Sequence, residues 1–276
     1  MPESLPHDDP KFIEIKENFA RVVKIIRQEF KQADEWLREH RLHRGQMNAV
    51  GSNELKKADV WDFITKVAHY HKSTGCNIGL MYVLWNYIEK NTPQYFIECG
   101  TGVSTHLIAE AMNRFCYKKY NGDIKLVSME GSPKWYQEAL RHPIAYDFVD
   151  IVLSPIQTTE YGMFISRGYE KIPEYPYDTM FVDGPCQDTY TNLDVLRVAS
   201  RIDNNIVAII DSRIQTILAL LLLYGPSFLC MLGKTFLFGP INKNTLSKYH
   251  KDCDIHEVLQ ERIAQLILPH IYSGIE

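Results

Sequence analysis

From Pro93 onward the chain alternates short apolar segments with longer amphipathic ones, and this rhythm constrains the fold more than any other feature. The segments "QYFIEC" (94–99), "IKLVSME" (124–130), "FVDIVLS" (148–154), "YDTMFVDG" (177–184) and "NNIVAIID" (204–211) each have the length and the β-branched content of a strand. Between and after them, Ser104 to Tyr117, "SPKWYQEALRH" (132–142), Tyr190 to Arg201 and Arg213 to Tyr224 read as helices. Parallel strands need crossover connections of this kind, so the pattern predicts an α/β fold with a doubly wound, mostly parallel sheet covered on both faces. The end of the chain breaks the rhythm. "SFLCML" and "KTFLFG" flank a short Gly-Lys turn, which predicts a hairpin and makes the last of seven strands antiparallel.

Two regions stand outside this pattern. Residues 1–75 predict a helical extension, with Phe12, Ile15, Phe19, Val22, Val23, Ile26 and Phe30 on one face of a helix within 11–44. Trp61 to His71 and Ile78 to Lys90 read as further helices, the second opening the α/β domain of residues 76–276. The apolar face of the extension must be buried, either over the domain or in a homodimer. The second region is 154–176, longer than an ordinary connection and carrying Tyr161, Tyr169 and Tyr175, which reads as a lid or a binding loop.

Composition narrows the partners. A net charge of −4 with no long basic run argues against nucleic acid. The most apolar stretch, "ILALLLLYG" (217–225), falls well short of the roughly 20 residues that span a bilayer, so no membrane is expected. The six cysteines form no C-x-x-C pair and the opening "MPESLPHDDPKF" has no signal-peptide pattern, so reduced thiols and a cytoplasmic location are expected.

Gly100 and Gly102 lie between the first strand and its helix, at the carboxyl edge where open parallel sheets bind ligands. Their missing side chains permit a sharp turn and the close approach of a ligand, and the helix start favours an acidic group. Thr105 stands at the third position of a G-x-G-x-x-G pattern, and Glu98 lies two residues before the first glycine. A carboxylate there would repel a pyrophosphate but hold an ammonium, although it could instead cap the amides of the turn. Glu130 ends the second strand, where a carboxylate can accept both hydrogen bonds of a ribose diol, and Gly131 and Ser132 leave room for an adenine. A ribose joined to a cationic, amino-acid-like tail describes S-adenosylmethionine.

"FIECGTGVST", "LVSMEGSP", "YDTMFVDGP" and "IVAIIDS" together resemble, in order and approximate spacing, the class I S-adenosylmethionine-dependent methyltransferases over about Ile78 to Gly239. The resemblance implies that Glu98, Gly100, Gly102, Ser104, Thr105, Glu130, Gly131, Ser132 and Asp183 bind the cofactor. The "FVDGP" form resembles a subset linked to sugar or natural-product tailoring. Asp183 and Asp211, ending the fourth and fifth strands, sit where the catechol and caffeoyl-CoA O-methyltransferases hold a divalent cation such as Mg²⁺. The resemblance therefore makes both aspartates catalytic and metal-binding candidates. Ser212 replaces the asparagine of that pattern, and no lysine follows Asp183 at the spacing of their general base.

The function expected is methylation of a small-molecule hydroxyl, sugar or phenolic, with Asp183, a metal or a histidine (His69 or His71) assisting proton removal. The histidines read first as partly exposed helix-end residues, and Arg197 as a residue of a solvated helix face. Competing expectations are a methyltransferase-like scaffold without activity and a NAD-dependent oxidoreductase.

Overall fold

The computed structural model describes residues 51–70, 77–161, 164–184, 192–211, 213, 216–217, 220, 229–232 and 235–247. The helix expected within 11–44, His71, Ser212 and most of the helix expected over 213–224 lie outside them. A helical segment, 51–57, precedes α1 (Trp61–Tyr70) and α2 (Ile78–Asn91). Asn77 caps α2, its side chain accepting from the Leu80 amide.

The alternating part then runs β1 (Tyr95–Cys99), α3 (Val103–Phe115), β2 (Lys125–Glu130), α4 (Pro133–Arg141) and β3 (Val149–Leu153). Ser132 caps α4 and Pro133 opens it, as the sequence pattern predicts. After an inserted hairpin, β4 (Ile156–Tyr161) with β5 (Phe164–Tyr169), come β6 (Thr179–Val182), α5 (Asp194–Ala199) and β7 (Ile206–Asp211). The described chain ends with β8 (Leu229–Leu232), β9 (Thr235–Ile241) and the short α6 (Lys243–Ser247).

Seven strands form one sheet in the order β3-β2-β1-β6-β7-β9-β8. Its first five strands are mutually parallel, and β9 runs antiparallel to both β7 and β8. The sheet is the doubly wound, mostly parallel one that the sequence rhythm predicts, and the strand entering last is antiparallel.

Side chains alternate between two buried layers, as the two-residue strand period requires. Ile97, Val127, Met180 and Val182 join a core that includes Leu193, Leu196 and Ala199 of the α5 region. Phe96, Leu126, Phe181 and Ile209 face the opposite core, built from α2, α3 and the residues Leu55, Val60, Ile64 and Val67. The described part of the helical extension therefore packs on the same side of the sheet as α2 and α3.

Two expectations change here. Residues 154–176, read as a lid or a binding loop, contain the β4–β5 hairpin, and Tyr169 within them is fully buried in the core. The helix expected over 190–201 is shorter, because Asn192 Oδ1 accepts from the Asp194 amide and holds a turn just before it.

Candidate functional site

The direction of strand order reverses between β1 and β6, so the carboxyl ends of these strands border the crevice that such sheets offer a ligand. The amides of Asp183 and Gly184 both donate to the Cys99 carbonyl, at 3.1 and 2.6 Å, tying the two turns together. Gly100 has φ +101°, and a side chain there would start 3.2 Å from the Gly184 nitrogen. The backbone itself demands that glycine. Gly102 differs. Its φ of 166° is extended, and a Cβ there would meet no atom within 4 Å. It opens onto free space at the start of α3, where the Gly102 amide donates to Thr105 Oγ1 at 3.0 Å.

Glu98 is fully buried and does not face this space. It accepts from Ser104 Oγ at 2.6 Å and from Ser128 Oγ at 2.5 Å. Burial pushes its carboxyl up to about 7, and the hydroxyl donors oppose that rise. Direct capture of an ammonium by Glu98, expected from its place before the glycines, is thus replaced by a support role. Glu98, Ser104 and Thr105 knit the glycine turn to the sheet from behind. Ser128 was missed by sequence reasoning, although its signal was present: a hydroxyl within an apolar strand, paired in register with Glu98.

Glu130 stands on the open side. Its Oε2 accepts from the Thr101 hydroxyl at 2.8 Å and the Thr101 amide at 3.3 Å, and its Oε1 accepts from the Ser132 amide at 2.8 Å. The carboxylate of β2 is thereby aimed at the turn that follows β1. Thr101 is the second residue that the sequence did not single out. Gly131 is needed for a different reason from the one expected. Ile156 Cγ1 lies 2.6 Å from where its Cβ would be, so the hairpin base, not empty space, fills that position.

Asp183 follows β6 and Asp211 ends β7, each one residue beyond the Val182–Ile210 register pair. The structure brings them to the same end of the sheet but gives Asp183 a cation from the chain itself. Arg213 Nη2 donates to Asp183 Oδ1 at 2.6 Å and also to the Asp183 carbonyl. Among the described residues no group of three or more His, Cys, Asp or Glu side chains could hold a metal ion. A guanidinium on one of two carboxylates does not fit the all-oxygen shell that Mg²⁺ or Ca²⁺ needs. His69 lies exposed in the last turn of α1.

The hairpin is latched to the site by a buried polar cluster. Asp194, fully buried, accepts from the Tyr169 amide at 3.1 Å and from Arg197 Nη1 at 2.7 Å. Arg197 also donates to the Tyr169 carbonyl at 2.6 Å. Arg197 is therefore not on a solvated face; its side chain is 12% exposed and pairs with a buried carboxylate. Asn192 Nδ2 donates to the Gly184 carbonyl at 2.7 Å, extending the cluster to the turn after β6. The Tyr169 hydroxyl would lie 2.8 Å from a Cβ on Gly184. Since Ile156 and Tyr169 are cross-strand partners, the hairpin base rests on both Gly131 and Gly184.

No family model matches the sequence and no curated protein matches it. Solved structures resemble the fold. A methyltransferase from Geobacter sulfurreducens aligns over 66% of this chain and 89% of its own, at 15% identity and a TM-score of 0.44. A putative caffeoyl-CoA O-methyltransferase from Staphylococcus aureus aligns over 64% and 91%, at 13% and 0.43. A SAH-bound methyltransferase of Podospora anserina aligns over 74% and 78%, at 15% and 0.38. The fold stated above rests on the strand order itself. Among the described residues no helix is long and apolar enough to cross a membrane.

Proposed function

We propose that this chain is an S-adenosylmethionine-dependent methyltransferase acting on the hydroxyl of a small molecule, a sugar or a phenol. The observation that carries the reading is the pairing of the open Gly102 turn with the Glu130 carboxylate. Thr101, between the two glycines, is hydrogen-bonded to Glu130 Oε2. An acidic end to β2 beside a glycine turn at the reversal of strand order suits a nucleoside with a compact tail. An acidic residue at the end of the second strand also suits the ribose of NAD, so NAD is the control ligand of the test below.

When bound, the cofactor would supply an electrophilic methyl group. Glu130 would accept from the ribose hydroxyls, and the unobstructed backbone at Gly102 would admit the tail to the start of α3. Glu98, Ser104 and Thr105 would hold that turn in place from the buried side. Ile156, close against Gly131, offers an apolar edge to a base. Asp183, its side chain 45% exposed, is the carboxylate placed to accept a hydrogen bond from an incoming hydroxyl, with Arg213 fixing its orientation. With the Arg213 guanidinium on Asp183, this pair of aspartates does not suit a divalent cation, and none is given a step here.

Calorimetric titration of S-adenosylhomocysteine into the full chain tests the reading, beside Glu130→Ala and with NAD as a control ligand. Micromolar binding of S-adenosylhomocysteine that Glu130→Ala loses supports it. Binding of NAD instead, or of neither nucleotide, overturns it in favour of the oxidoreductase or the scaffold. A cytoplasmic location, independence from nucleic acid and membranes, and a homodimer built through the N-terminal extension complete the proposal.

A further inference from the structure

We propose that Arg213 is the resident cation of this cleft, standing where the two strand-end aspartates would otherwise assemble a divalent-metal site, so that the wild-type chain works without metal and removal of Arg213 uncovers a latent one. The inference rests on the methyltransferase reading only for the word "works"; the metal chemistry of the two aspartates stands apart from it.

The geometry carries the argument. Asp183, just beyond β6, and Asp211, the last residue of β7, each come one residue past a register pair of adjacent parallel strands, so their Cα atoms stand about one inter-strand spacing apart, roughly 4.8 Å. Two carboxylates carried at neighbouring strand ends supply part of the oxygen shell of a hard cation. Arg213 follows Asp211 by two residues, and its side chain turns back across to the neighbouring strand end. Its Nη2 reaches both the Asp183 carboxylate and the Asp183 carbonyl. Those are two of the three oxygens that Asp183 could lend to a metal, Oδ2 being the third. Calcium and magnesium sit about 2.0–2.6 Å from their oxygens, and a guanidinium nitrogen 2.6 Å from Oδ1 already holds that approach.

Charge reinforces the steric block. The guanidinium is permanently protonated and 15% exposed, so a dication entering beside it would meet poorly screened repulsion. Arginine also satisfies a carboxylate and a carbonyl with directed N–H donors, which a spherical ion does without direction. Asp183 therefore keeps one orientation at the mouth of the site whether or not divalent ions are present.

The test titrates Mn²⁺ and Mg²⁺, without nucleotide, into the full-length wild type, Arg213→Lys, Arg213→Ala and the double variant Arg213→Ala/Asp183→Asn. Calorimetry and Mn²⁺ paramagnetic resonance report the binding. Wild type and Arg213→Lys should show no saturable site tighter than about 1 mM, whereas Arg213→Ala should gain one site at least about tenfold tighter. Asp183→Asn added to Arg213→Ala should remove it. Stoichiometric metal binding by the wild type that Asp183→Asn abolishes would overturn the proposal. A folded Arg213→Ala that gains no site would overturn it too, and Arg213→Gln takes its place if Arg213→Ala does not fold. In a parallel arm, EDTA should leave wild-type affinity for S-adenosylhomocysteine unchanged, while tenfold weakening by EDTA would count against the proposal. Absence of any S-adenosylhomocysteine binding would defeat the methyltransferase reading and leave the metal result to stand by itself.

Discussion

Thr101 and Glu130 grip one another across the ends of adjacent strands, the threonine hydroxyl donating to Glu130 Oε2 at 2.8 Å. A ribose diol bound to Glu130 must take over that acceptor. Thr101 is therefore a competitor as well as a positioner. Replacing Thr101 by Val removes the competing donor while keeping shape and β-branching. We predict that Thr101→Val tightens S-adenosylhomocysteine binding by roughly fivefold, about 1 kcal/mol, the ordinary net worth of a hydrogen bond. Calorimetry at one ionic strength checks this, and a tenfold loss would show that Thr101 orients Glu130 more than it occupies it.

Gly100 and Gly102 separate stability from binding. An alanine at Gly102 meets no atom within 4 Å and needs no unusual backbone, so Gly102→Ala should alter unfolding free energy by no more than about 1 kcal/mol. The new methyl would stand in the space assigned to the ligand, and affinity should fall by about tenfold or more. Gly100→Ala should behave in the opposite sense. Its φ of +101° and the Gly184 nitrogen at 3.2 Å make it destabilising by about 1–3 kcal/mol even without ligand. Denaturant titration and calorimetry on the two variants suffice. Equal loss of stability in both would remove the distinction.

The legible parts of this chain were those in which one residue pattern permits one structure. The five strands of the parallel run are short and apolar with helices between them, and a buried parallel strand leaves few other readings. The β4–β5 hairpin was not legible. "IQTTEY" and "FISRGY" are polar for strands because their ladder is with each other, outside the main sheet. Glu98 was placed correctly on its strand but with the wrong neighbours. Position along a strand gives the face, whereas the hydroxyls that satisfy it come from α3 and β2. Arg197 was misread because a helix of six residues leaves little periodicity to define a face. Its partner, Asp194, lay three residues away, a spacing that also describes countless exposed pairs. Arg213 entered the sequence reading only as the start of a helix, since nothing in sequence shows a side chain crossing to the next strand.

The Asp194–Arg197 pair should prove costly to break from one side only. Arg197→Met leaves a fully buried carboxylate without its cation, and a loss of about 3–5 kcal/mol is expected at pH 8. Asp194→Asn keeps acceptor and donor capacity at the Tyr169 amide and should cost less. Gly168→Ala attacks the same cluster sterically, since its Cβ would lie 2.5 Å from Asp194 Oδ1 and 2.8 Å from Arg197 Nη1. A double-mutant cycle of Arg197→Met with Asp194→Asn should show strong coupling in urea denaturation. Additive losses would mean that the pair does not act as a unit.

The two buried carboxyls also fix the sign of the pH dependence. Burial raises Glu98 to about 7 and Asp194 to about 6, each above its ordinary value. The folded chain therefore holds protons that the unfolded chain releases. Stability from these groups is fully present below the unfolded values near 4 and is lost as pH rises through about 6 and then 7. For Glu98 the whole effect is at most roughly 3 kcal/mol. Glu98→Gln removes its ionisation while keeping length and a carbonyl acceptor for one of the two serine hydroxyls. Urea denaturation between pH 5 and pH 8 at constant ionic strength should show the wild type weakening across this range. Glu98→Gln should weaken less, losing stability relative to wild type at pH 5 and recovering it by pH 8. Parallel profiles for the two proteins would mean that Glu98 does not titrate in this window.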